Sequence, residues 1–222
     1  MSERFVALTF DNGPWVGITD RVLDELGRRS IPAAFFVVGR ELARPGARAL
    51  AERARAEGHL IGNHSETHRT ALGELTDPAT ADAEIDECER RLDGLRTMPP
   101  LFRPFGNGGA LDHRLLSPYA VKRLCDGGYT TVLWNSVPHD WDDPDGWVDT
   151  ALAHVASLPH TVMVLHDMPG SALPRLPELL DRLAEMDVAF IQVVPASCIA
   201  IDAGSPTPVL AALGVRELPP AR

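Results

Sequence analysis

Cysteine is scarce in this chain. Cys88, Cys125 and Cys198 are far apart and form no Cys-x-x-Cys pair, which excludes a disulfide-stapled scaffold and a thiolate metal ribbon. No apolar stretch approaches the ~20 residues that a membrane-spanning helix needs. Basic runs are short too. None is longer than Arg28-Arg29 or Arg90-Arg91, and a formal net charge of −10 leaves no basic patch of the kind that nucleic-acid phosphates demand. No Gly-x-Gly-x-x-Gly opens a helix, so a dinucleotide fold is unsupported. The glycine-rich Gly106-Asn107-Gly108-Gly109 lacks the lysine and the helix of a phosphate loop. What remains is an acidic chain of 222 residues, 45% hydrophobic, with no internal repeat and a length that suits one domain with a large core. The expectations are no nucleic-acid partner and no membrane. Met1-Ser2-Glu3-Arg4 runs straight into an apolar strand, so a cytoplasmic location without a signal peptide is also expected.

Strand-like and helix-like runs alternate along the sequence. Strands are expected at Phe5–Phe10, Ala33–Gly39, His59–His64, Leu101–Arg103, Thr130–Trp134, Thr161–Leu165 and Val188–Val194. Helices are expected after Thr19 as a cap, at Ala47–Glu57, Asp77–Leu95, Tyr119–Asp126 and Asp145–Ser157, and at Leu173–Met186 with its prolines in the first turn. Continuous apolar strands such as Ala33–Val38 suit a sheet covered on both faces. Strands alternating with helices imply right-handed crossovers and a parallel sheet. The reading is an α/β single domain, a barrel over residues 1–195, with an open doubly wound sheet as runner-up. Residues 196–222 read as an extended tail on the barrel surface, with one short helix at Val209–Leu213.

Polar residues interrupt the apolar strands at their C-terminal ends. Asp11 and Asn12 end the first, and Gly13-Pro14 stops it; alone, Asp11-Asn12-Gly13 is no more than a turn. His64 and His68 follow the third strand, Arg103 ends the fourth, Asp140 and Trp141 follow the fifth, and His166 and Asp167 end the sixth. In a parallel barrel all of these share one face, where ligands and catalytic groups collect. On a helical turn His64 and His68 lie on the same side, so both rings can bind one metal, with Asn12 or Asp11 as the oxygen donor. Arg103 is either a surface cap or a partner for a carboxylate such as Asp11. His166 is either a satisfied core histidine or a proton donor beside Asp167. Trp15, Trp134 and Trp141 are core residues or flat walls for a sugar ring.

These stretches resemble a known family. Thr9-Phe10-Asp11-Asn12-Gly13-Pro14 is similar to the first motif of polysaccharide deacetylases with the NodB homology domain, carbohydrate esterase family 4. His64-Ser65-x-x-His68 resembles the second motif, and Phe102-Arg103-Pro104-Phe105-Gly106 the third. Asp140-Trp141 resembles the fourth and Leu165-His166-Asp167 the fifth. The resemblance covers about Phe5 to Val194. It implies a distorted (β/α)₇ barrel and a hydrolase of carbon–nitrogen bonds other than peptide bonds. It also implies roles: Asp11 as general base, Asn12, His64 and His68 as metal ligands, Arg103 orienting the base, and the backbone N–H at Phe105 holding the oxyanion. Asp140 tunes His166, the general acid, while Trp141 and Leu165 line the acyl pocket. The cofactor implied is a divalent metal, Zn²⁺ first, with Co²⁺, Ni²⁺ or Mn²⁺ as alternatives.

Three departures from the pattern stand out. Asn12 replaces the metal-binding aspartate. The third motif is one residue short and leads into Gly108-Gly109. Val137 stands where an aspartate is common. The first departure bears on metal affinity, the others on a polymeric substrate. The functional expectation is metal-dependent hydrolysis of an N-acetyl bond on an amino sugar, oligosaccharide or small acetamido compound. The alternatives are an amide, cyclic imide or ureide hydrolase, and a non-catalytic barrel with a degraded metal site.

Overall fold

The computed structural model describes residues 4–215. The first strand β1 (Arg4–Asp11) is the spine of the sheet. It is followed by α1 (Thr19–Arg28), β2 (Ala33–Val37), the single turn α2 (Gly39–Leu42), α3 (Ala47–Ala56) and β3 (Leu60–Asn63). Next come α4 (Pro78–Arg91), β4 (Leu101–Phe102), α5 (Pro118–Asp126) and β5 (Thr130–Val132). Then follow α6 (Trp147–Ser157), β6 (His160–His166), α7 (Leu176–Glu185) and β7 (Val188–Phe190). The chain ends with β8 (Ile199–Asp202), β9 (Ser205–Pro206) and α8 (Pro208–Ala212).

The strand order is β6-β1-β2-β3-β4-β5-β8-β9, parallel from β6 through β5. Strand β7 joins β1 along Arg4–Val6, on the edge that β2 occupies from Leu8 onward. The sheet curls far enough for Ser136, just past β5, to bridge in parallel to Met163 of β6. That contact brings the two ends of the parallel sheet together as a distorted barrel. Every parallel strand therefore delivers its C-terminal end to the same rim.

The period of two along each strand sorts the side chains. Val6, Leu8 and Phe10 of β1 join Phe35 and Val37 of β2 and Met163 and Leu165 of β6 in the main core, packed beneath α1, α6 and α7. Ala7, Thr9 and Asp11 project to the barrel axis. Register pairs Thr9 with Val164 and Asp11 with His166, so these four share the interior.

Most departures from the expected elements are at their ends. Strands β4 and β5 are shorter than expected, at Leu101–Phe102 and Thr130–Val132. Thr19 is not a cap: Ile18 holds that position, and the Thr19 hydroxyl turns inward to Asp167. Helix α7 starts at Leu176 with only Pro177 in its first turn. The segment expected as an extended tail is more ordered than that. β8 pairs antiparallel with β5, β9 pairs with β8, and α8 covers Pro208–Ala212. Residues 216–222 of that segment, and residues 1–3, lie outside the described residues.

Candidate active site

At the C-terminal rim of the barrel lies a cavity of about 290 Å³, lined by Asp11, Asn12, His64, His68, Phe105, Trp134, Trp141, Val164 and His166, among others. Two buried ion pairs frame it.

The first pair is Asp11 with Arg103. Arg103 is fully buried at the end of β4. Its Nη1 donates to Asp11 Oδ1 (3.1 Å) and to the Thr9 hydroxyl, Nε to the Val132 carbonyl (3.3 Å), and Nη2 to the Leu133 carbonyl (3.3 Å). The Phe36 ring lies 4.1 Å from the guanidinium carbon. A buried charge held at so many points is fixed in direction, and removing either partner of such a pair costs about 3–5 kcal/mol.

The second pair is Asp140 with His166. Asp140 Oδ1 lies 2.8 Å from His166 Nδ1, and Oδ2 accepts the His166 backbone N–H at 2.9 Å. The carboxylate thus orients both the ring and the strand end. Burial pushes the His166 pKa down. The hydrogen bond and charge of Asp140, with the charges of Asp11 and Asp167, outweigh it, so the net shift is upward. The Trp141 ring stands edge-on to the His166 ring at 4.7 Å.

His64 and His68 meet with ring centroids 4.9 Å apart, but not on a helix. The expected helical turn is absent. The chain between them is a loop, with Ser65 at φ 69° and His68 at φ 51°. His64 Nδ1 sits 2.8 Å from the Arg103 carbonyl. A carbonyl can only accept, so the proton is on Nδ1 and Nε2 keeps its lone pair. Burial, aided by neighbouring positive charge, drives both rings far down, to about 3, so both are neutral at neutral pH. Neutral imidazoles with a free nitrogen are the form that a metal takes. The His68 ring stacks on Phe105 at 3.9 Å.

Asn12 stands at φ 77°, a left-handed conformation that asparagine tolerates better than most residues. Its Nδ2 faces the Met168 sulfur at 3.5 Å, while Oδ1 is buried with no partner. A buried amide oxygen without a donor, on the same cavity as two neutral imidazoles, fits a divalent cation. Among the described residues no three His, Cys, Asp or Glu side chains cluster closely enough to hold a metal ion. The turn after Asn12 packs tightly. A Cβ on Gly13 would lie 2.0 Å from Asp167 Oδ2, so only glycine lets the loop rest on that carboxyl. Burial raises the Asp167 pKa to about 7, against the pull of the Thr19 hydroxyl.

One assigned residue is corrected. Leu165, expected in the acyl pocket, is wholly buried in the core on the outer face of the sheet. Val164, one position earlier, lines the cavity. His166 points inward and side chains alternate, so Val164 shares its face and Leu165 cannot. That alternation was available in the sequence. Of Trp15, Trp134 and Trp141, the last two line the cavity. Trp15 does not; its indole donates to the Asn12 carbonyl (3.2 Å) and carries the Arg44 guanidinium at 4.0 Å. Val137 and the Gly108-Gly109 loop, two separate departures in sequence, meet in space. Gly109 has φ 85°, a Cβ on it would come within 2.8 Å of Val137, and its carbonyl accepts from Trp134 Nε1 at 2.8 Å. Sequence reasoning passed over Thr9, which holds Arg103, and Met168, which flanks Asn12.

Residues 1–116 match the family model described as polysaccharide deacetylase. The chain is 34% identical over 169 residues to a chitooligosaccharide deacetylase of Rhizobium leguminosarum bv. trifolii, covering 74% of this chain and 72% of that protein. It is 29% identical over 199 residues to a peptidoglycan-N-acetylglucosamine deacetylase of Bacillus cereus, covering 86% and 87%. Among solved structures it resembles a family 4 acetyl xylan esterase from Clostridium thermocellum in complex with a cobalt ion. The TM-score is 0.67 and the identity 26%, over 85% of this chain and 87% of that one.

Proposed function

The chain belongs to the polysaccharide deacetylase family, and within it we propose that this protein is a metal-dependent N-deacetylase of an acetylated amino sugar, free or at a residue of a short oligosaccharide. The observation that carries the reading is that one cavity holds a carboxylate and an imidazole in separate, opposite environments. Asp11 is fixed by Arg103, and His166 is fixed by Asp140. The pairing of a deprotonated carboxylate with a protonated imidazole is what amide hydrolysis needs.

Asn12, His64 and His68 would hold the cation. Zn²⁺ suits two imidazoles and an oxygen, and Co²⁺, Ni²⁺ and Mn²⁺ are alternatives. When bound it supplies Lewis acidity toward the acyl oxygen and toward water. Asp11 takes a proton from the attacking water as the new C–O bond forms. Arg103 keeps that carboxylate aimed and stabilises it once the proton has moved on. The Phe105 backbone N–H donates to the developing oxyanion. Asp140 holds the His166 Nδ1–H, so Nε2 is the atom that protonates the departing nitrogen. The C–N bond then breaks, giving acetate and a free amine. Trp141 and Val164 pack the acyl methyl, and the flat faces of Trp134 and Trp141 suit a pyranose ring.

Acetate release from N-acetylchitooligosaccharides and N-acetylglucosamine, set beside hydrolytic ring opening of a cyclic imide and of a cyclic ureide, tests the proposal. Each assay is run with and without prior chelation. Turnover of the acetylated sugars, lost on chelation and restored by Zn²⁺, is the expected result. Turnover of the imide or ureide alone, or turnover indifferent to chelation, overturns it.

A further inference from the structure

The loop between His64 and His68 is poorly suited to hold itself. Two non-glycine residues in it sit at positive φ, Ser65 at 69° and His68 at 51°. Such conformations cost about 1–3 kcal/mol each and persist only where the surroundings impose them. Two neighbours impose them: α2, whose Gly39 and Arg40 N–H groups donate to the Ser65 and Glu66 carbonyls at 3.0 and 2.9 Å, and α4. The Glu84 carbonyl accepts the Glu66 N–H at 2.7 Å. The Glu84 carboxylate accepts twice from Thr67, the backbone N–H at 2.9 Å on Oε2 and the hydroxyl at 2.6 Å on Oε1. The carbonyl of the next residue, Ile85, accepts from Asn63 Nδ2 at 2.9 Å, and about two turns further on Arg91 Nε donates to both Glu66 oxygens at 2.9 and 3.0 Å. Within the loop, Asn63 Oδ1 accepts the Ser65 N–H, and Ser65 Oγ accepts the His68 N–H at 3.1 Å.

The Glu84 carboxylate is the one side-chain group on α4 that grips the residue immediately before His68. We propose that Glu84 is a positioning residue for the imidazole pair. By clamping Thr67 at two atoms, it keeps the His68 ring beside His64 and so sets this chain's affinity for a divalent cation. The proposal rests on the metal reading above. Glu84 does not line the cavity. Its effect is carried by the backbone: with the clamp released, the 67–68 peptide is free to leave its left-handed conformation and take the imidazole with it.

The test is titration of metal-free protein with Zn²⁺ against a competing chelator, and with Co²⁺ by its visible absorption. It is made well below the unfolding temperature on wild type, Glu84→Gln, Glu84→Ala, Thr67→Val and the double variant Glu84→Ala/Thr67→Val. Glu87→Gln is the control, because Glu87 lies on the same helix and pairs only with Arg90, at 3.2 Å, among the described residues. Wild type and Glu87→Gln are expected to bind one ion with equal affinity. Glu84→Ala should bind about tenfold or more weakly, the scale on which outer partners of metal ligands act. Glu84→Gln, which keeps one acceptor oxygen, should fall between. The double variant should be no worse than Glu84→Ala, because both changes break the same clamp. If Glu84→Ala does not fold, Glu84→Gln and Thr67→Val carry the comparison. A melting temperature lowered with metal affinity unchanged would make Glu84 a purely structural brace and overturn the proposal. A wild type that binds no ion would instead overturn the metal reading beneath it.

Discussion

Replacing Asp140 by asparagine keeps the shape of the side chain and removes its charge. In the wild type that charge decides the protonation of His166. The ring is buried, which favours the neutral form, yet the balance is upward because Asp140 holds Nδ1 at 2.8 Å. A hydrogen bond to a charged partner is worth about 1.5–3 kcal/mol. At about 1.4 kcal/mol per unit, its loss lowers the His166 pKa by roughly one to two units. Burial is then opposed only by the charges of Asp11 and Asp167, and the ring's pKa moves down. The sign for catalysis follows. A general acid works while protonated, so the alkaline limb of kcat against pH marks its pKa in the complex. In the wild type that limb lies above 6.5, and in Asp140→Asn it moves to lower pH. At pH 7.5 the protonated fraction should drop by about tenfold or more, a loss in kcat of the same order. The amide also presents either an oxygen or an NH₂ to Nδ1. In the NH₂ orientation the neutral ring carries its proton on Nε2, a further loss through the wrong tautomer. The assay is acetate release from an N-acetylchitooligosaccharide between pH 5 and 9 with metal in excess, alongside NMR titration of the His166 ring. An alkaline limb in the same place in both proteins would refute the reasoning.

Asn12→Asp should bind Zn²⁺ more tightly than wild type, by about tenfold or more, since it puts a charged oxygen where a neutral one has no partner; equal dissociation constants by titration would remove position 12 from the ligand set. Leu165→Ala should lower stability by about 2–5 kcal/mol in denaturant unfolding and leave KM alone, while Val164→Phe should raise KM for acetylated substrates with little loss of stability; the opposite assignment would restore Leu165 to the pocket. Asp167 holds a proton in the folded state up to about pH 7, whereas an unfolded aspartate loses it near 3.9. Wild-type stability should therefore decline as pH rises between those values. Asp167→Asn should flatten that slope and be the more stable of the two at pH 8, checked by urea unfolding at pH 4, 6 and 8; parallel profiles would show that Asp167 is not held neutral.

The parallel strands were legible because a strand covered on both faces is a run of apolar residues that ends where polar ones begin. Phe5–Phe10 and Thr161–Leu165 are such runs, and they proved to be neighbours in register. Their polar ends pointed to one rim because parallel strands leave no other arrangement. Depth of burial was less legible. Leu165 is adjacent to His166 in sequence, but a single position in a strand is a change of face. The histidine pair was found for an incomplete reason. Spacing of four predicts proximity on a helix, yet here proximity comes from positive φ values and from α4, which pairing by sequence distance cannot see. Ile199–Asp202 read as a tail because its partner β5 lies far back in the chain, and antiparallel addition at a sheet edge leaves only a weak local trace.

The three histidines of the cavity show why partners, rather than residue type, decide the chemistry. His64 follows one strand end and His166 closes another, both are buried, and burial alone would leave both neutral. Burial, helped by the positive charge of Arg103 and only partly opposed by the bond to the Arg103 carbonyl, keeps the His64 ring far down the scale with a free nitrogen. His166 meets a carboxylate through its ring and its own backbone, so its ring moves the other way. Arg103 connects these outcomes. Its carbonyl fixes the His64 tautomer while its guanidinium fixes Asp11. One residue at the end of a two-residue strand therefore orients the proposed base and prepares a proposed ligand. Disturbing the Arg103 backbone should reach the metal site, and disturbing its side chain should reach the base. The Thr9 hydroxyl, which accepts from Nη1 and donates to the Met163 carbonyl at 2.6 Å, anchors the guanidinium to the strand that carries His166. Through it, the proposed base and the proposed acid, register partners on neighbouring strands, share one support.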